Sequence, residues 1–109
     1  MINSRDKGVR GELEFAAFLH KHGVEARRGQ QRAGGGDSPD VISAFTQLHW
    51  EVKRVQAGNP YDWLEQAQHD ANKGSMKVVA HRRNNKRWIA VTFMDELVPL
   101  LWMREALFL

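Results

Sequence analysis

The sequence has 109 residues, 42% of them hydrophobic, which is enough for one compact core and too few for two ordinary domains. Sixteen Lys and Arg against 13 Asp and Glu leave a formal charge of +3, a mildly basic field that excludes a histone-like cationic surface. There is no cysteine, so disulfide frameworks, thiolate zinc sites and thiol nucleophiles are excluded.

Taken in chain order, Val9, Leu13, Ala16, Ala17 and His20 recur at helical spacing between Ser4 and His22, with Gly23 as C-cap. Val24 to Arg28 reads as a short strand. Gly29 to Gly36 contains three successive glycines that cannot hold regular structure cheaply, and it is predicted to be a loop. Asp40 to Phe45 and Leu48 to Val55 are β-branched or aromatic runs separated by Thr46 and Gln47, the pattern of a hairpin at the middle of a sheet. Asn59 as N-cap, Pro60 at the first helical position and Asp62 two residues later open a second helix, which Gly74 is expected to close. Met76 to Ala80 and Trp88 to Thr92 are further strands, joined by a turn in which Asn84 and Asn85 tolerate left-handed backbone. Thr92 and Asp95 resemble a capping arrangement for a last helix, which Pro99 is expected to kink or restart. The order helix, three strands, helix, two strands, helix predicts an α/β fold: one domain, with a mixed sheet of about five strands flanked by helices.

Charge is unevenly placed along this frame. Arg27, Arg28 and Arg32 gather before the hairpin, and Arg82, Arg83, Lys86 and Arg87 gather in the turn between the last two strands. Segregated cations suit a polyanionic partner, although an uneven solvated surface gives the same pattern. Met1 to Arg10 carries charge without an apolar run, and no segment approaches the roughly 18 to 20 apolar residues of a membrane span. A cytoplasmic protein with no membrane association is therefore expected.

The residues that carry chemistry are Ser38-Pro39-Asp40 at the head of one strand and Glu51-Val52-Lys53 on the next. Side chains alternate along a strand, so Glu51 and Lys53 share a face while Val52 points to the core. If the strands pair as a hairpin, Asp40 lies beside Glu51, and two neighbouring carboxylates repel unless a proton or cation lies between them. A hard divalent ion with oxygen ligands, Mg2+ or Mn2+, meets that need. Lys53 then supplies an ammonium that can orient an attacking water or neutralise charge in a transition state. Alone, Glu-x-Lys is commonly an exposed ion pair worth little. It gains meaning from the Pro-Asp at hairpin distance, the acidic first helix and the basic loops.

With these motifs the sequence resembles the PD-(D/E)XK nucleases, in particular the archaeal-type Holliday junction resolvases, and more loosely the VRR-NUC domain. The likeness runs from Lys7-Gly8 and Glu12 through Gly23, Pro39-Asp40 and Glu51-Val52-Lys53 to Glu65-Gln66-Ala67. The resemblance implies a restriction-endonuclease-like sheet and a Mg2+-dependent endonuclease. It puts the active centre on Glu12, Asp40, Glu51 and Lys53, with Gln66 in support and the metal at Asp40, Glu51, Val52 and Glu12. Glu12 lies on the edge of the apolar stripe of its helix, where a carboxylate is costly unless something binds it. Glu14, flanked by Arg10 and Phe18, reads as an ordinary surface position.

Other features point less sharply. The segment Gly29 to Asp37 lacks the Lys-Ser/Thr and the following helix of a nucleotide-binding loop; it is expected to lie along DNA through Arg32 and main-chain N–H groups, or simply to connect. His20, His22, His49, His69 and His81 show no zinc-binding spacing. Trp50, Trp63 and Trp88 sit on strands or an amphipathic helix, where core packing explains them. The expected partner is DNA, branched or in four-way junctions, with a nicking, flap-cutting or restriction-like nuclease as the alternative, and an inactive DNA-binding module as an alternative of another class. A four-way junction has two-fold symmetry, and the apolar run Leu97 to Leu109 exceeds what a small core absorbs, so a homodimer formed through this segment is expected.

Overall fold

A computed structural model describes residues 4–29, 38–71 and 74–108. Helix α1 (Ser4–Lys21) turns Phe15, Ala16 and Leu19 inward at helical spacing. It ends where Gly23 takes φ 82° and donates its N–H to His20 O, while Val24 N–H reaches back to Leu19 O. Such a left-handed residue strains any side chain, which is why glycine suits the end of this helix.

The chain continues through β1 (Ala26–Arg28), β2 (Val41–Ser43), β3 (Leu48–Lys53), helix α2 (Pro60–Asp70), β4 (Met76–His81), β5 (Ile89–Val91) and helix α3 (Met94–Ala106). The five strands lie in sequence order in one sheet. The pairs β1–β2, β2–β3 and β4–β5 are antiparallel, and β3–β4 is parallel because α2 carries the chain back across the sheet. The expected mixed five-stranded sheet and element order are thus present; β1, β2, β3 and β5 are shorter than the apolar runs suggested, while β4 runs one residue further, to His81.

The two faces of β3 serve different layers. Trp50 and Val52 stand beside Val78 and Ala80 and pack with Phe15, Leu19 and Val41 under α1. Glu51 and Lys53 stand beside Val79 and His81 on the face covered by α2, where Leu64, Ala67 and Val79 form a second cluster. Helix α1 comes unusually close to the end of β3: a Cβ added at Gly11 would lie 2.6 Å from Arg54 Cβ. Trp50 is buried, while Trp63 and Trp88 pack against the two clusters, as core packing requires.

Three local expectations need correction. Asn59 does cap α2, accepting from Tyr61 N–H at 2.9 Å and Asp62 N–H at 3.4 Å, but the helix ends at Asp70, ahead of Gly74. Thr92 does not cap α3; its hydroxyl donates to Lys77 O at 2.7 Å, and Phe93 occupies the cap position without a side-chain bond. Helix α3 runs through Pro99 instead of restarting there, and it buries none of its residues. No helix among the described residues is long and apolar enough to cross a membrane.

Candidate active site

Strands β2 and β3 share a single ladder partnership, Val41 with Trp50, and just before it the strands begin to part. Asp40 bridges the opening. Its N–H donates to Trp50 O at 2.9 Å, and its Oδ2 accepts from Val52 N–H at 2.8 Å, so the carboxyl group substitutes for the backbone partner that Val52 lacks on the β2 side. Gly29 N–H in turn donates to Asp40 O, which ties this position to the end of β1.

The carboxyl of Asp40 is hydrogen-bonded to that of Glu51, and both side chains are buried. Burial, chiefly, with the neighbouring Glu51 charge, pushes the pKa of Asp40 up to about 8 from its ordinary 3.8. The Val52 N–H pulls the other way, whereas the bond to Glu51 and the charge of Glu12 add to the rise. At neutral pH the pair therefore holds a proton. That places a carboxyl pair next to Lys53, whose Nζ donates to Gln66 Oε1 of α2 at 3.3 Å.

Glu12 is also buried, at 8% exposure, as its position on α1 predicted, and it is bound by Arg28 Nε. The sheet thus brings Glu12, Asp40, Glu51, Lys53 and Gln66 into one region, with Val52 contributing its N–H to Asp40. Among the described residues no three His, Asp or Glu side chains close around one point, so the oxygen donors a cation could use here are centred on the Asp40–Glu51 pair.

Three features escape the sequence reading. His49, on the same face of β3, is 3% exposed and its Nε2 lies 2.8 Å from Glu51 Oε1. Its position two residues before Glu51 was the available signal, since period-two alternation puts both on one face. His81 Nδ1 donates to Lys53 O at 2.8 Å, and its ring packs on Trp63 with centroids 4.7 Å apart. Glu14 is not an ordinary surface acid: it accepts from Arg54 Nε at 3.1 Å and from Arg82 Nη1.

The basic residues divide accordingly. Arg28 is tied to Glu12, and Arg82 to Glu14 and to Lys86 O. Arg27, Arg83, Lys86 and Arg87 are exposed. Asn85 takes φ 62° in the β4–β5 turn, as expected, and His81, Arg82, Arg83, Lys86 and Arg87 line a cleft of about 560 Å³ at the end of β4 where Lys53 stands in register with His81. Arg32 and most of the glycine-rich segment lie outside the described residues.

A five-stranded mixed sheet with helices on both faces, Pro-Asp immediately ahead of β2 and Glu-x-Lys on the adjacent β3 define the restriction-endonuclease-like fold of the PD-(D/E)XK nucleases. In particular, the chain is similar to the solved structure of Archaeoglobus fulgidus Hjc, a Holliday junction resolvase from an archaeal hyperthermophile, with 27% identity, a TM-score of 0.58, and coverage of 79% of this chain and 72% of that one. No protein-family model and no curated protein matches the sequence.

Proposed function

We propose that the chain is a metal-dependent DNA endonuclease selective for four-way or branched DNA, acting as a homodimer. The observation that carries this reading is the buried Asp40–Glu51 carboxyl pair with Lys53 two residues along the same strand face. The similarity to a Holliday junction resolvase supports the choice of substrate.

The pair fits a small hard cation. Two carboxylates pressed together at the cost of a retained proton form a site that a divalent ion stabilises by replacing that proton, and Mg2+ uses one or two carboxylates with water in its remaining positions. Asp40 and Glu51 would hold it, with Val52 and Glu12 beside them. When bound, Mg2+ or Mn2+ lowers the pKa of a coordinated water and stabilises charge on phosphate oxygens. Glu12, restrained by Arg28, adds negative potential at Asp40. Lys53, steadied by Gln66, offers its ammonium to the attacking water or to the phosphate as charge builds, and the product carries a 5′-phosphate.

Binding is assigned to phosphates. Arg83, Lys86 and Arg87 on the β4–β5 turn, with Arg82 behind them, line the cleft near Lys53, and Arg27 extends the basic surface on β1. Arg28 and Arg32 belong to the same basic segment. Among the described residues none of the helices is assigned to reading bases, and selection is assigned to shape and backbone. Helix α3, apolar and unburied, is the proposed subunit contact, and two sites related by a two-fold axis match the symmetry of a four-way junction.

The test is incubation of labelled four-way junction, fork, flap and linear duplex with Mg2+ or with EDTA, using the wild type beside Asp40→Asn. Asparagine keeps an oxygen for Val52 N–H and removes the ionisable group. Preferential junction cutting, lost in EDTA and in the variant, is expected; cutting that survives either one overturns the assignment.

A further inference from the structure

Among the buried polar residues described, His49 is the least exposed, at 3%, and its Nε2 lies 2.8 Å from Glu51 Oε1. It stands two residues ahead of Glu51 on β3, so strand alternation sets both side chains on the face covered by α2. Glu51 has three side-chain torsions and lies against a second carboxyl group, Asp40, that repels it whenever both are ionised. Without a restraint on its other side, Glu51 gains by rotating away.

We propose that His49 is a positioning residue: its Nε2–H holds Glu51 Oε1 and so fixes the carboxyl pair in the arrangement that receives a divalent cation. This rests on the reading of Asp40 and Glu51 as a metal-binding pair. An imidazole suits the task better than lysine or arginine. It supplies a directed donor without a permanent positive charge that would neutralise Glu51 and repel the incoming cation. With Nε2 committed to Glu51, His49 acts through the carboxylate and touches neither the ion nor DNA.

The test uses Mn2+ alone, titrated into DNA-free protein by calorimetry, with Asp40→Asn as the control that removes the site. His49→Gln presents an amide N–H at a similar reach and is expected to bind Mn2+ within a few-fold of wild type. His49→Leu suits the buried position without a donor, and its Mn2+ affinity is expected to fall by about 10- to 100-fold with the fold retained by circular dichroism. Equal affinity in the Gln and Leu variants overturns the proposal. If the Leu variant fails to fold, 15N spectra of the wild-type histidines decide: a His49 ring with bare Nε2 and its proton on Nδ1 overturns it, and a protonated Nε2 sustains it. Wild type that binds Mn2+ but cuts no branched DNA overturns the nuclease reading and leaves the role of His49 standing. Wild type that binds no Mn2+ overturns both.

Discussion

Arg82 Nη1 donates to Glu14 Oε1 across 68 residues of sequence, and Arg54 Nε binds the same carboxylate at 3.1 Å. One acid on α1 thus gathers an arginine from the end of β3 and another from the end of β4, each directly following Lys53 or His81 on the two parallel strands.

Glu14→Ala is therefore expected to loosen this corner of the fold. The three side chains are 20 to 35% exposed, so solvent screens the pairs and the loss is about 1–2 kcal/mol. Thermal denaturation should show a midpoint lower by roughly 4–8 °C for each kcal/mol. An unchanged midpoint would show that the arginines are equally well held by water.

The same pairing separates Arg82 from its neighbours. Arg83→Ala, at an exposed position, should leave thermal stability unchanged, weaken junction binding on every sequence and reduce the salt slope of binding by about one. Arg82→Ala should lower stability as well, because it strips a partner from Glu14. Binding measured at several salt concentrations, beside melting curves, distinguishes the two.

The raised pKa of Asp40 sets a pH dependence in metal-free protein. The folded state keeps a proton that the unfolded chain has released, so this contribution to stability is complete below pH 3.8, falls as pH rises, and is gone above about 8. Melting temperatures in EDTA should decline across that window more steeply for wild type than for Asp40→Asn. Binding of Mg2+ must displace the proton, so affinity should climb by up to about tenfold per pH unit and level off above about 8. Affinity independent of pH between 6 and 8, as flagged by about the same constant at each pH, would place the ion away from Asp40.

Lys53→Ala is expected to retain junction binding and to lose about 10²–10³-fold in cutting, the scale of removing one placed electrostatic donor. Gln66→Ala, which frees Lys53 from its 3.3 Å bond, should give a smaller loss in the same direction. Single-turnover cleavage with bound junction checks both, and a Lys53→Ala enzyme of normal rate would remove the ammonium from the mechanism.

Helix α3 and the two residues that follow it leave Leu100, Leu101, Trp102, Met103, Leu107 and Phe108 between 44 and 82% exposed. Light scattering should find a dimer, and Leu101→Glu with Trp102→Glu should convert it to monomer while the sheet domain stays folded. A wild-type monomer at micromolar concentration would refute the dimer.

The order of elements, the Asn59 cap and the Gly23 helix end are local matters, governed by side-chain spacing and backbone preference, and the sequence by itself determined them. It also supplied the Asp40, Glu51 and Lys53 set, because strand alternation needs no knowledge of distant partners. The fate of Glu14 was not legible, since its arginines arrive from elements 40 and 68 residues away. Nor was the diversion of Thr92 from helix cap to Lys77 O, a bond made across the sheet. The proton held between Asp40 and Glu51 and the brace from His49 depend on where β2 parts from β3 and on how deeply α2 covers that face. Those are distances and burial, and only packing in three dimensions decides them.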